Sequence, residues 1–115
     1  MKPKIYHNPR CSKSRQALAL LQEHDIDVDV VEYMKFPLSR AQLQELLRKL
    51  GFGPTDLIRK FEAEFKSAGV SEDTSDDELL DLMLAHPKII QRPVIEVGDQ
   101  ALVGRPPERV LDLLP

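Results

Sequence analysis

Apolar positions along the first third of the chain switch from one period to another and back. KIYHN (residues 4–8) is a short apolar run that predicts a buried strand. From Ser12 to about His24, Ala17, Leu18, Leu20 and Leu21 recur at helical spacing and predict one apolar helix face. DVDVVEY (27–33) then alternates and predicts a second strand. A strand–helix–strand order over 4–33 requires parallel strands joined by a right-handed crossover.

The middle of the chain reads as helices. Ser39 with Gln42 forms a capping box for a second helix that Gly51 stops. Pro54 suits the first position of a further helix, PTDLIRKF. Ser75 and Glu78 form another capping box, for DDELLDLMLAH, which ends at His86-Pro87. Mobility is expected in the stretch between, SAGVSEDTS (67–75).

The last third returns to strand patterns. PVIEV (93–97) and QALVG (100–104) are separated by Gly98-Asp99, and glycine first in a two-residue loop is a type II′ hairpin signal. A final helix is expected from Pro106-Pro107 through ERVLDLL. The whole is an α/β chain: β-α-β, a helical insertion at about 38–88, then β-β-α, giving one domain over 1–115 with a mixed four-stranded sheet covered by helices. With 98 and 99 as the loop, Val97 faces Gln100, Ile95 faces Leu102 and Val94 faces Val103; continuing outward, Arg92 faces Arg105. Like charges directly opposed are destabilising, so either an anion sits between them or both splay into water or pair with Glu96 or Glu108.

Composition narrows the setting. At 115 residues the chain buries roughly two thirds of its unfolded surface as one domain. No apolar stretch approaches the ~18 residues of a membrane span, and MKPKIYHNPR lacks a signal-peptide apolar region, so no membrane association and a cytoplasmic address are expected. A net charge of -3 exerts no global pull on nucleic acid. One cysteine cannot form an intramolecular disulfide, so disulfide chemistry needs a second molecule.

That cysteine lies in HNPRCSKSR (7–15), at the junction of the first strand and helix. A lone cysteine is often a small buried hydrophobe. Here the helix N-terminus favours a thiolate, Arg10, Lys13 and Arg15 add positive potential, and Pro9 sets a loop. The same features describe an oxyanion cradle. His7 is either a base or orienting partner, or a structural histidine at a strand end; His24 and His86 read as helix-end residues. His7 and Cys11 are too few for a metal site, so none is expected. No glycine-rich phosphate loop is present, a phosphatase-type loop would place arginine where Ala17 stands, and a dithiol motif would place cysteine where Ser14 stands.

HNPRCSKSRQAL, LIRK (57–60), IIQRPVIEV (89–97) and GRPPERVLDLL (104–114) together resemble the thioredoxin-fold arsenate reductases, in particular the short glutaredoxin-dependent bacterial type. The resemblance implies a thioredoxin-like fold with Pro93 cis. It implies that Cys11 attacks arsenate, that Arg59, Arg92 and Arg105 hold the oxyanion, and that His7 and Arg15 support the cysteine within an anion loop of Asn8, Ser12, Lys13, Ser14 and Arg15. It implies no bound cofactor and a monomer, with glutathione as co-substrate and glutaredoxin removing it from the adduct; Ser14 in place of a resolving cysteine makes the external thiol necessary. Phe61 stands two residues after Arg59, where relatives tend to be polar. Two alternatives stand beside this: a glutathione-dependent reductase acting on another substrate, and an Spx-like regulator that shares this fold and binds RNA polymerase, whose switch uses two cysteines where this chain has one and which has no need of the three arginines.

Overall fold

The structure is a computed structural model that describes residues 2–114. The chain divides into two compact units, one made of its two ends up to Phe36 and from Arg92, the other of Pro37–Gln91.

The first unit holds the sheet. Strands β1 (Lys4–Tyr6), β2 (Asp29–Val31), β3 (Val94–Val97) and β4 (Gln100–Val103) lie in the order β2-β1-β3-β4. β1 pairs with β2 in parallel, with Ile5 opposite Val30, and with β3 antiparallel, with Ile5 opposite Ile95. Helix α1 (Ser12–Glu23) supplies the crossover between the parallel pair. Both leading strands are shorter than expected. β1 stops because the His7 N–H makes the last ladder bond, to the Val31 carbonyl at 2.9 Å, before Asn8 turns the chain. β2 stops because Glu32 opens a turn, its carbonyl accepting from the Lys35 and Phe36 N–H groups.

The hairpin register is the expected one: Val97 faces Gln100, Ile95 faces Leu102 and Val94 faces Val103. Gly98 takes φ +60° while Asp99 does not enter the left-handed region, which is the II′ pattern. Ile5 and Ile95 from the sheet, Ala17 and Leu21 from α1, and Val110 near the end of the chain form a fully buried core. Each large aliphatic among them contributes about 1.5–3 kcal/mol by leaving water. Leu18 packs against this core partly buried.

The final element is a 3-10 segment, Pro107–Leu111, instead of the expected longer α-helix. Its bonds run three residues back, as from the Arg109 N–H to the Pro106 carbonyl at 3.0 Å. Pro107 and Val110 are its buried residues, and a 3-10 turn eclipses side chains at that spacing, so one short turn seats both. Gly104 lets this segment close in: a Cβ there would lie 2.7 Å from Val110 Cγ1 and 3.0 Å from Pro93 Cγ.

The second unit is helical. α2 (Arg40–Leu50) starts at the predicted Ser39–Gln42 capping box and ends at Gly51, with φ +71°. Leu43, Leu46 and Leu47 are its buried stripe; it packs on α4 (Asp76–Ala85), which buries Leu79, Leu80 and Met83. Ser75 caps α4 by accepting from the Glu78 N–H at 3.2 Å, without the reciprocal side-chain bond that completes the box at Ser39.

The helix expected from PTDLIRKF is a correction. Only Pro54–Leu57 form a 3-10 turn, after which Ile58 is extended and bridges Ile90 antiparallel. The Gln91 N–H donates to the Leu57 carbonyl at 2.8 Å, so β-branched Ile58 is claimed by a neighbouring chain segment before a helix can propagate. A short helix, α3 (Ala63–Ser67), follows; no apolar period announces it because it buries no residue. Among the described residues no helix is long and apolar enough to cross a membrane.

Candidate active site

The loop between β1 and α1 is closed by its own hydrogen bonds. The Asn8 carbonyl accepts from the Cys11 N–H at 3.0 Å, and Asn8 Oδ1 accepts from the Arg10 N–H at 3.0 Å. Cys11 occupies the N-cap of α1, with φ -95° and ψ 122°. Its carbonyl accepts from the Arg15 N–H at 3.0 Å, and the Arg15 guanidinium reaches back to donate to the Pro9 carbonyl at 2.9 Å.

Ser14 is the hub of this loop. It is fully buried, its Oγ accepts from the Asn8 N–H at 3.0 Å, and the same oxygen lies 2.6 Å from His7 Nδ1. The position that a resolving cysteine would take in a dithiol motif thus carries a hydroxyl that ties the strand end to the helix start. Its spacing from Cys11 marks this position in the sequence, but not the hydrogen bonds that Ser14 makes. His7 is buried, and that burial lowers its pKa; the Glu32 carboxylate opposes the shift, and the Arg15 charge adds a smaller lowering. Its imidazole is therefore neutral near neutral pH, with one nitrogen engaged by Ser14. It acts on the loop through Ser14.

The thiol sits under competing influences. Burial pushes its pKa up, but the Ser14 N–H, the Arg92 guanidinium and the Lys13 N–H together bring it below the ordinary cysteine value. No side-chain hydrogen bond closes over the cap, so these N–H groups act as aligned dipoles at the helix start. The sequence neighbours Arg10, Lys13 and Arg15 were the expected source of positive charge. The arginines that act on the thiol are instead Arg92, eighty-one positions along the chain, and Arg105, both remote in sequence. Arg10 and Lys13 extend into solvent, and Arg15 serves the loop backbone.

Arg92 and Arg105 meet at the open end of the β3–β4 pair, as the register requires. Arg105 does not splay away. Its Nε donates to the Arg92 carbonyl at 2.8 Å, and its Nη2 lies 3.6 Å from Cys11 Sγ. Arg92 is buried, and the Arg92–Pro93 peptide is cis as expected; the Arg105–Pro106 peptide is cis as well. Glu96, one of the carboxylates that might have neutralised the pair, accepts instead from the Tyr6 hydroxyl at 3.0 Å and lies 3.9 Å from Lys4 Nζ. One thiol and two arginines thus share one edge of the sheet unit.

Arg59 belongs to the helical unit. Its N–H donates to the Ile89 carbonyl at 2.6 Å, and its guanidinium lies 3.4 Å from Glu62 Oε1 and 4.6 Å from the centre of the Phe61 ring.

The sequence model of the ArsC family matches residues 6–113. The chain belongs to the ArsC family. An arsenate reductase of Rhizobium meliloti (strain 1021) is 42% identical over 112 residues, covering 96% of this chain and 80% of that protein. The uncharacterized protein YfgD of Escherichia coli (strain K12) is 40% identical over 113 residues, covering 96% of this chain and 95% of that one. Among solved structures, an arsenate reductase from Vibrio cholerae superposes with a TM-score of 0.95 at 40% identity, over 99% of this chain and 98% of its own. The fold of this ArsC-family chain is the thioredoxin-like one.

Proposed function

We propose that the protein reduces arsenate to arsenite, with Cys11 as nucleophile and glutathione, recycled by glutaredoxin in the cytosol, as the source of the second thiol. The observation that carries the proposal is the approach of Arg105 Nη2 to within 3.6 Å of a thiol whose pKa is lowered at a helix N-terminus. A thiolate there is a ready nucleophile, and guanidinium groups bind tetrahedral oxyanions through paired N–H bonds.

The Cys11 thiolate attacks arsenic, a new S–As bond forms, and one arsenate oxygen departs as water after protonation. Glutathione then attacks the adduct. Over the cycle arsenic gains two electrons, and two thiols lose them as one disulfide: arsenic acid and two thiols give arsenous acid, a disulfide and water. Arg92 and Arg105 neutralise the oxyanion, and Arg59 is proposed as a further oxyanion contact on the family resemblance. His7 and Ser14 keep the loop in register for the attack. Because the chain has a single cysteine, no internal disulfide can form, and glutathione must enter from solution.

Arsenate-dependent NADPH consumption in an assay coupled through glutathione, glutaredoxin and glutathione reductase tests the proposal. Wild type is expected to turn over only when both thiol components are present. Cys11→Ser is expected to lose turnover while keeping its fold, because Cys11 lies in a loop at the helix start and is only half-buried. Intact mass should show a glutathione adduct on wild type and none on Cys11→Ser. Turnover that persists in Cys11→Ser would overturn the mechanism, and adduct formation with no arsenate turnover would point to another substrate.

A further inference from the structure

We infer that Phe61 is a positioning residue, whose ring holds the Arg59 guanidinium in the orientation from which it contacts an oxyanion. The inference rests on the proposed reading of Arg59 as an oxyanion contact. Residues 59–62 form a tight reversal: the Arg59 N–H donates to the Ile89 carbonyl at 2.6 Å, and the Arg59 carbonyl accepts from the Glu62 N–H at 3.2 Å. With its backbone fixed at both groups, Arg59 meets the side chains that follow it. The ring centre of Phe61 lies 4.6 Å from its guanidinium carbon, and Glu62 Oε1 lies 3.4 Å from Nη2. Glu62 is itself held, because its other oxygen lies 3.5 Å from Lys88 Nζ.

The exposures are inverted for these two residue types. Phe61 is 63% exposed, while the Arg59 side chain is only 13% exposed. A phenylalanine with most of its surface in water contributes little to a core. Its ring does lie against the Arg59 guanidinium carbon, within the range where cation–π attraction is favourable. An arginine stacked on a ring keeps its N–H groups in one plane at the edge, which is the geometry that recognises oxyanions. The ring and the Glu62 carboxylate together restrict where the guanidinium can point.

If Phe61 served stability alone, its replacement would shift Tm and leave substrate affinity unchanged. Arsenate KM, kcat and the sulfate-induced rise in Tm separate the two roles across wild type, Phe61→Leu, Phe61→Trp, Arg59→Ala and the Arg59→Ala/Phe61→Leu pair. Leucine keeps apolar bulk and lacks the π face. Phe61→Leu is expected to raise KM and weaken sulfate binding roughly two- to fivefold with kcat unchanged. Phe61→Trp should restore both, and Phe61→Leu should add nothing once Arg59 is alanine. Unchanged affinity in Phe61→Leu beside weakened affinity in Arg59→Ala overturns the positioning role and leaves Arg59 as an anion contact. Unchanged affinity in Arg59→Ala overturns both. Sulfate binding decides the matter even if arsenate is not turned over.

Discussion

Arg105 donates to a backbone carbonyl at 2.8 Å, whereas Arg59 meets a carboxylate at 3.4 Å and an aromatic ring at 4.6 Å. The carbonyl that Arg105 uses is that of Arg92, fixed by the hairpin register and by the adjacent bond from the Gly104 N–H to the Pro93 carbonyl at 2.8 Å. A carbonyl inside a hairpin has one position and no charge for salt to screen. Glu62 and Phe61 are side chains, so the contacts they give Arg59 depend on rotamers rather than on a fixed backbone. The sheet unit thus aims an arginine through the backbone, and the helical unit aims one through its neighbours. Backbone aiming is lost only when the hairpin is disturbed, while side-chain aiming erodes one substitution at a time.

The largest effect expected from this difference is on anion binding. Sulfate or arsenate should stabilise wild type by RT ln(1 + [L]/Kd), about 2.7 kcal/mol at roughly a hundredfold excess over Kd. Arg92→Ala or Arg105→Ala should each remove most of that increment, and the double variant should lose little more, as two arginines proposed to hold one ligand would. Arg59→Ala should remove a smaller part. Thermal melts with and without sulfate at matched ionic strength measure all four. A loss in Arg59→Ala as large as in Arg105→Ala would break the contrast between the two modes of aiming.

The backbone mode can also be disturbed without touching an arginine. Gly104 lies beside Arg105, and a methyl group there would press on Val110 Cγ1 at 2.7 Å and Pro93 Cγ at 3.0 Å. Gly104→Ala should therefore destabilise the fold by about 1–3 kcal/mol in urea unfolding, as overpacked positions do. It should also raise arsenate KM, because the Arg92 carbonyl is the anchor for Arg105. In the helical unit Phe61→Leu, at an exposed position, should change stability by no more than about 0.5 kcal/mol. Equal stability losses at the two positions would mean that the turn is as rigid as the hairpin.

Legibility in the sequence follows the same division between local and distant causes. The β3–β4 register, the Ser39 box and the Gly51 stop were readable because each depends on residues within a few positions of one another. The pairing of Arg92 with Arg105 followed from that register alone. What escaped was set by residues far apart in the chain. Ile58 left a helical pattern because Ile90 offered a strand bond, and Arg92 and Arg105, not the adjacent Arg10, Lys13 or Arg15, became the charges that act on Cys11. Ser14 was visible as the residue replacing a second cysteine, but its bonds to His7 and Asn8 needed the loop to be closed. The helix α3 left no trace because all five of its residues stay at least partly exposed.

The smallest expected effect concerns the thiol itself. Burial raises the Cys11 pKa and the Ser14 N–H and Arg92 lower it, so the net depression is what survives a partial cancellation. The rate of iodoacetamide alkylation against pH should therefore give a midpoint below the ordinary ~8.5 of a free cysteine. Arg92→Ala should move that midpoint upward, and Phe61→Leu should leave it in place. The sign carries over to stability. A thiol whose folded pKa is depressed adds stability that is fully present above the unfolded value and is lost as pH falls through the folded one. The part of the wild type's stability that comes from this thiolate should then shrink on acidification through that window, and Cys11→Ser should show no such loss. An alkylation midpoint at or above the free value in wild type would remove the thiolate from the site. A midpoint unmoved by Arg92→Ala would instead assign the depression to the helix N-terminus and Arg105, leaving Arg92 to the oxyanion and separating the two duties that Arg92 is assigned.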